Sequence, residues 1–318
     1  MSDVKTINSL ESIKIAFDAL LNNIDKVIKE VRPRSDIRKT ELFKLKKELS
    51  KIEELESHKI ALISEIVTKY LSINELFIGN IEYKKENFLK IIQRTKDVTD
   101  SAQSYNDHLF ELSMGVRIAK ALKDHKTEIH IDGDSGCDVI VNDTIAIECK
   151  YIHEKSGILG AIRTAKEQID TRVKDGHAKY GYIAIDLSNI CPREKINQFV
   201  EYTLERFIQN YECLAENQFI TENIIDDIIS DRNFFKIFSS YIAHEMESLF
   251  YSELGFSYDL GENVYAILFQ FMNTFCFEYQ DKVLPLTSRG MPYFINRNFD
   301  ENKYRATEGF IHSLAVGV

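Results

Sequence analysis

Three ionisable residues between positions 138 and 150 have the types and spacing to support metal-ion chemistry. Asp138, Glu148 and Lys150 combine two carboxylates with one ammonium group. Carboxylate oxygens are hard ligands of the kind that Mg²⁺ prefers, and a neighbouring lysine can orient or deprotonate water. We therefore predict that these side chains converge on a divalent cation, Mg²⁺ by default, with Mn²⁺ as a substitute.

The residues around them predict a β-hairpin that would bring the three together. β-Branched residues alternate on both sides of a short turn: Val139, Val141, Ile145 and Ile147. The turn residues Asn142 and Asp143 tolerate the left-handed backbone that tight hairpins need. Because side chains on a strand alternate between faces, Glu148 and Lys150 share a face, which Asp138 can reach from the paired strand. The opposing interpretation is a cross-strand ion pair on an exposed face, worth about 0.2–1 kcal/mol.

Four further elements are predicted around this hairpin. The apolar pattern indicates a helix over about 104–122, a strand over 127–131, a helix over 157–174 and a buried strand over 180–187. Glu111 lies in the apolar surround of the first helix, where a carboxylate is costly unless a cation meets it. An ordinary exposed glutamate near a helix N-terminus is the alternative. Gln168 lies on the second helix.

This order of elements and residues resembles the PD-(D/E)xK nuclease superfamily, which has the restriction-endonuclease-like fold. The residues that carry the resemblance are Glu111, Gly136-Cys137-Asp138, Glu148-Cys149-Lys150 and Gln168. The aspartate lacks the proline that precedes it in the superfamily's name. The resemblance covers residues 104–187 and extends to a last core strand near 264–271. It implies an α/β (α+β) fold with a mixed central sheet flanked by helices.

The resemblance also implies an activity: Mg²⁺-dependent endonuclease hydrolysis of phosphodiester bonds, acting on DNA, in restriction or phage defence. Asp138, Glu148 and the main-chain carbonyl of Cys149 would bind the ion. Lys150 would act on the attacking water, and Glu111 would bind a second ion or its water shell. Gln168 would position the phosphate or Lys150. Basic residues of the same helix would contact the phosphate backbone of the nucleic acid: Arg163, Lys166 and Arg172.

The chain divides in sequence into an N-terminal helical region, 1–97, and a nuclease-like domain, 98–318. Amphipathic runs predict an antiparallel helix hairpin or coiled coil in the first region. Its apolar stripe could serve a homodimer, a protein partner or the chain's own core. Residues 26–51 hold ten basic residues against four acidic ones, which indicates either a nucleic-acid contact or a solvated helix face.

Composition limits the classes of function. The formal net charge is −10, and residues 201–318 hold 18 acidic against 8 basic residues, so non-specific coating of nucleic acid is not expected. Five scattered cysteines, no apolar run of membrane length and no leader pattern favour the cytoplasm. The alternatives to a DNA nuclease are a catalytically degenerate nuclease-fold subunit of a complex and an RNA-directed nuclease.

Overall fold

The computed structural model describes residues 10–78, 81–83, 85–86, 88–89, 105–122, 127–131, 139–217, 223–279 and 282–315. It is a mixed α/β structure. The helices are α1 (Leu10–Val31), α2 (Glu41–Ser50), α3 (Ser57–Leu71), α4 (Glu75–Ile78), α5 (Tyr105–Ala121), α6 (Ile158–Lys174), α7 (Arg193–Glu216), α8 (Ile224–Ser230), α9 (Arg232–Leu254) and α10 (Glu301–Ala315).

The strands form one mixed sheet. They are β1 (Ile81–Glu82), β2 (Thr127–Ile131), β3 (Val139–Val141), β4 (Ile145–Tyr151), β5 (Tyr180–Asp186), β6 (Val264–Tyr279), β7 (Lys282–Gly290) and β8 (Tyr293–Ile295). Neighbours follow chain order from β1 to β7, and β8 pairs with β6. The strands β4, β5 and β6 run parallel, whereas the β2–β3, β3–β4 and β6–β7 pairs are antiparallel. The helix and strand order predicted for 104–187 is therefore present.

The hairpin between β3 and β4 turns where the sequence predicts it. Asn142 and Asp143 have φ angles of 51° and 47°, and the Thr144 amide donates to the Val141 carbonyl at 3.1 Å. Two consecutive left-handed residues characterise the primed turns that suit the strand twist. This turn fixes the β4 register, with Ile147 opposite Val139, and hence the face that Glu148 occupies.

Substitution of Asp143 tests how strongly the turn depends on that backbone conformation. A β-branched side chain is strained at positive φ, so Asp143→Val should lower the free energy of unfolding by about 1–2 kcal/mol. Asp143→Gly is the matched control, because it removes the same carboxylate but has no Cβ, and its stability should equal or exceed that of the wild type. Urea denaturation measures both. Equal losses in the two variants would mean that the carboxylate, and not the backbone, matters.

Each face of the sheet carries its own apolar core. One face holds Ile147 and Tyr182, covered by α1, α3 and α5. The other holds Ala146, Ile183 and Ile185, covered by α6, α7 and α9. Alternation along β4 therefore places Glu148 and Lys150, which have the parity of Ala146, on the face that α6 covers.

The N-terminal apolar stripe is buried within this chain. Its members are Ile13, Phe17, Leu20, Leu21, Ile24 and Ile28. They join the same core as the sheet residues Tyr182 and Ala184, and α3 packs against β6 and β7. Of the three roles open to the stripe, the chain's own core is the one that the packing supports.

The last core strand is continuous where its sequence predicts two segments. The strands predicted over 264–271 and over 274–279 form one element, β6, which runs to Tyr279. The strand passes through two buried polar residues, Asn273 and Thr274, whose contacts are described below. In the part of the chain that the structure describes, no helix has the length and apolar character needed to cross a membrane.

Candidate functional site

Glu148 and Lys150 lie together on β4. The Lys150 Nζ is 3.4 Å from the Glu148 Oε2. The Glu148 side chain is fully buried, and that of Lys150 is 22% exposed. The opposing interpretation, a cross-strand ion pair on an exposed face, is therefore wrong for Glu148. A fully buried carboxylate loses its hydration, and this cost is tolerable only with a cation close by.

The partner carboxylate of the predicted metal site, Asp138, lies outside the described residues. Within the described ranges, no group of three or more His, Cys, Asp or Glu side chains is arranged to hold a metal ion. Of the two carboxylates predicted to bind the first ion, Asp138 and Glu148, only Glu148 is described. Its oxygen chemistry and its burial fit a hard divalent cation, but the described side chains do not complete a site without Asp138.

The remaining predicted site residues are distributed over both faces of the sheet. Gln168 is on α6, the helix that packs over the face of Glu148, and its amide oxygen is buried. Cys149 points to the other face and is 7% exposed among core residues, as its position on the strand predicts. Glu111 is partly buried on α5, which packs on that same opposite face. Glu111 and Gln168 are therefore on helices that pack against opposite faces of the sheet.

The basic residues that were predicted to contact nucleic acid differ in their surroundings. On α6, Lys166 Nζ donates to the Asp259 carbonyl at 3.3 Å, and Arg163 is exposed. In the 26–51 stretch, several cations pair with nearby acids: Lys29 with Asp25, Lys44 with Glu41, Lys46 with Asp18, and Arg38 with Asp36. These pairs are typical of a solvated helix face.

A second buried ionic cluster was missed by the sequence analysis. Glu65 on α3 accepts from Arg193 Nη1 at 2.8 Å and Nη2 at 2.9 Å, a bidentate pair. It also lies 3.3 Å from Lys69 Nζ and accepts from the Thr274 amide at 3.3 Å. Arg193 Nη1 further donates to Asn273 Oδ1 at 2.7 Å. The cluster fastens α3 to the start of α7 and the middle of β6.

Opposing effects act on the pKa of the Glu65 carboxyl. Burial raises this pKa, but the charges of Lys69 and Arg193, together with their hydrogen bonds, outweigh it, so the pKa is lowered. Glu65 is only 3% exposed and lies in the buried, largely apolar stripe of α3 with Ile63, Ile66 and Val67. A carboxylate within such a stripe was the available sequence signal, but Arg193 lies 128 residues away and no local pattern identifies it.

A polar crevice on the face opposite Glu148 was also missed. It lies beyond the carboxyl ends of β4 and β5, alongside the middle of β6, and includes Tyr151, Asp186 and Gln270 among its lining residues. Asp186 accepts from the Ser188 amide and from Gln270 Nε2, each at 2.8 Å. These residues come from separate strands, and only the parallel pairing brings them together.

No family model, curated protein or solved structure matches this chain. The function is therefore inferred from the residues and their geometry.

Proposed function

We propose that the protein is a metal-dependent nuclease of the PD-(D/E)xK type, acting on DNA, with a restriction or phage-defence role. The observation that carries the proposal is the fully buried Glu148 with Lys150 Nζ at 3.4 Å, side by side on a core strand. Ion pairs that only support a protein surface are usually exposed, whereas the carboxylate of this E-x-K pair is buried in the sheet. The proposal includes a restriction-endonuclease-like core and an N-terminal helix hairpin.

The proposed roles follow from the chemistry of each group. Asp138, Glu148 and the Cys149 carbonyl hold Mg²⁺ or Mn²⁺, which supplies Lewis acidity and an activated water when bound. Lys150, beside Glu148, orients the water and stabilises negative charge on the phosphate. Gln168 positions the phosphate or Lys150 from α6. Glu111, on the helix that packs against the opposite face of the sheet, has no role at the Glu148 site in this proposal.

One observation favours a second candidate, a catalytically degenerate subunit that acts through protein contacts. Glu148 has no exposed surface, and its ammonium neighbour can neutralise it without a metal. In that case the E-x-K pair stabilises the fold and the protein needs no cation. An RNA-directed nuclease uses the same residues as the DNA enzyme, so only the substrate distinguishes these two.

Cleavage assays with plasmid DNA, single-stranded DNA and RNA, each with Mg²⁺, Mn²⁺ or EDTA, test the proposal. We expect cleavage that requires the metal and falls at least about 100-fold in Glu148→Gln and Asp138→Asn, since each variant removes a negatively charged metal ligand. Glu245→Gln is the matched control, because Glu245 pairs with the exposed Lys195 on the surface.

Calorimetric titration with Mg²⁺ separates the two candidates. The nuclease should bind the ion, and the double variant Asp138→Asn/Glu148→Gln should not. If the wild type neither binds Mg²⁺ nor cleaves any of the three substrates, the degenerate subunit is the correct reading. Cleavage that is equal in the wild type and both single variants would refute the site assignment, even if nuclease activity is present.

A further inference from the structure

The crevice beyond the carboxyl ends of β4 and β5, alongside the middle of β6, is lined by two cations, Lys69 and Arg117, and by one acid, Asp186. In parallel sheets, ligands commonly bind outside these strand ends. We propose that this crevice binds an oxyanion, specifically a phosphate group, with Arg117 as its principal contact and Arg289 and Lys69 in support. The site lies on the opposite face of the sheet from Glu148 and is independent of the proposed nuclease function.

Arg117 supplies the main geometric argument. It lines the crevice from α5 and is only 8% exposed. Its one hydrogen-bond acceptor among the described residues is the thioether sulfur of Met291, at 3.7 Å from Nη1, and its buried Nε has none there. A thioether is a weak acceptor, and a buried guanidinium with so few bonds is costly. An oxyanion in the crevice would supply the missing acceptors.

Arg289 adds a second, partly buried cation beside the crevice. It stands opposite Met272 in the β6–β7 ladder, and Met272 lines the crevice. Its Nε is also buried and has no hydrogen-bond partner in the described ranges. Burial first, and then repulsion from Arg289, lowers the pKa of Arg117 to about 10. Arg117 thus keeps its charge at neutral pH beside a like charge.

The described acids do not balance these cations. The four cations of the region are Lys69, Arg117, Arg193 and Arg289, and the two acids are Glu65 and Asp186. Glu65 is engaged by Lys69 and Arg193, and both oxygens of Asp186 accept other hydrogen bonds. Four cations minus two acids leaves a charge of +2, which a phosphate dianion would cancel. A phosphate between these cations would offset the repulsion that they exert on one another.

The dimensions of the crevice restrict what enters. Its free volume is about 20 Å³, which is room for one water-sized group. A phosphate oxygen fits at the inner end, whereas a base, a sugar or an aromatic ring does not. The phosphate is therefore either a free ion or the terminal group of a larger molecule whose remainder stays outside.

Titration calorimetry with inorganic phosphate in EDTA, at constant ionic strength set with chloride, tests the proposal. We expect one phosphate per chain in the wild type and affinity at least about tenfold weaker in Arg117→Gln and in Arg289→Gln, because each removes a charge-assisted bond. Arg305→Gln is the control, because Arg305 is 73% exposed and pairs with Glu301 on the surface. Glu148→Gln should bind phosphate like the wild type, so failure of the nuclease site does not affect this test.

The source of the phosphate is identified with oligonucleotides that carry a 5′-phosphate or a 5′-hydroxyl. Preference for the phosphorylated end that disappears in Arg117→Gln indicates a nucleic-acid terminus, whereas binding of inorganic phosphate alone indicates the free ion. If Arg117→Gln does not fold, Arg289→Gln and the wild-type titration decide. No phosphate binding by the wild type, or equal binding by the wild type and the folded variants, overturns the proposal.

Discussion

Replacing Glu65 with alanine is expected to lower the free energy of unfolding by about 1.5–3 kcal/mol. The substitution leaves the guanidinium of Arg193, whose side chain is 42% exposed, without the carboxylate to which it makes bonds of 2.8 and 2.9 Å. It also removes an acceptor from the Thr274 amide. Because small proteins are stable by only about 5–15 kcal/mol, this loss should be visible in urea denaturation as a large fall in the midpoint.

Glu245→Ala is the matched control for this prediction. Glu245 also pairs with a cation, Lys195, at 2.7 Å, but the Lys195 side chain is 60% exposed. Water replaces the lost partner there, so the cost should be about 0–1 kcal/mol. Similar losses for the two variants would mean that the Glu65 cluster is no more than a surface-type ion pair.

The pH dependence of stability gives a second measure of the Glu65 cluster. Because the folded pKa of Glu65 is lowered, its contribution is fully present above the unfolded value of about 4.3 and is lost as the pH falls through the folded pKa. The difference between the wild type and Glu65→Gln should therefore be constant near neutral pH and shrink under acidic conditions. A difference that grows below about pH 4 would contradict this sign.

Lys150→Met should reduce nuclease turnover by about 10²–10⁴-fold while Mg²⁺ binding is retained. Methionine keeps the length of the side chain but cannot orient water or stabilise negative charge. Lysine is not a metal ligand, so calorimetry should give an unchanged or tighter affinity for Mg²⁺ once the ammonium group 3.4 Å from Glu148 is removed. Single-turnover cleavage measures the first effect, and titration measures the second.

Lys155→Met is the control for Lys150. Lys155 pairs with Glu253 at the same 3.4 Å distance but is 50% exposed, and its loss should leave cleavage unchanged. If Lys150→Met cleaves normally, Lys150 is only the counter-ion of Glu148. If it loses Mg²⁺ binding together with cleavage, the ammonium group organises the carboxylates and has no direct part in the reaction.

The parts of the structure that could be predicted from sequence are those set by local periodicity. The alternation of β-branched residues and the Asn142-Asp143 turn were sufficient to place Glu148 and Lys150 on one face of β4. The 3.6-residue pattern located α6 because that helix buries a single stripe, whereas α5 is buried on all sides from Leu112 to Ala119 and was located by its apolar run. The full burial of Glu148 was not predictable, since it depends on the helix that crosses above it.

The polar clusters could not be predicted because their members meet only after the chain folds. Arg117 and Arg289 are on a helix and an edge strand that are remote in sequence, and Asp186 joins Gln270 through the parallel β5–β6 pairing. The continuity of β6 across residues 272–274 could not be predicted for a related reason. Asn273 and Thr274 interrupt the apolar pattern, but Arg193 and Glu65 satisfy their polar groups, so the strand continues.

The Glu65 cluster also sets an order of events during synthesis. A ribosome makes α3 early, whereas Arg193 follows 128 residues later and Thr274 follows 209 residues later. At a synthesis rate of about 5–20 residues per second, roughly 10–40 s pass between the synthesis of α3 and that of β6, the strand against which α3 packs. During that interval Glu65 remains hydrated, and the apolar residues of α3 are not yet packed against β6. We therefore expect the nascent N-terminal helices to remain accessible to holding chaperones until the C-terminal third has been made.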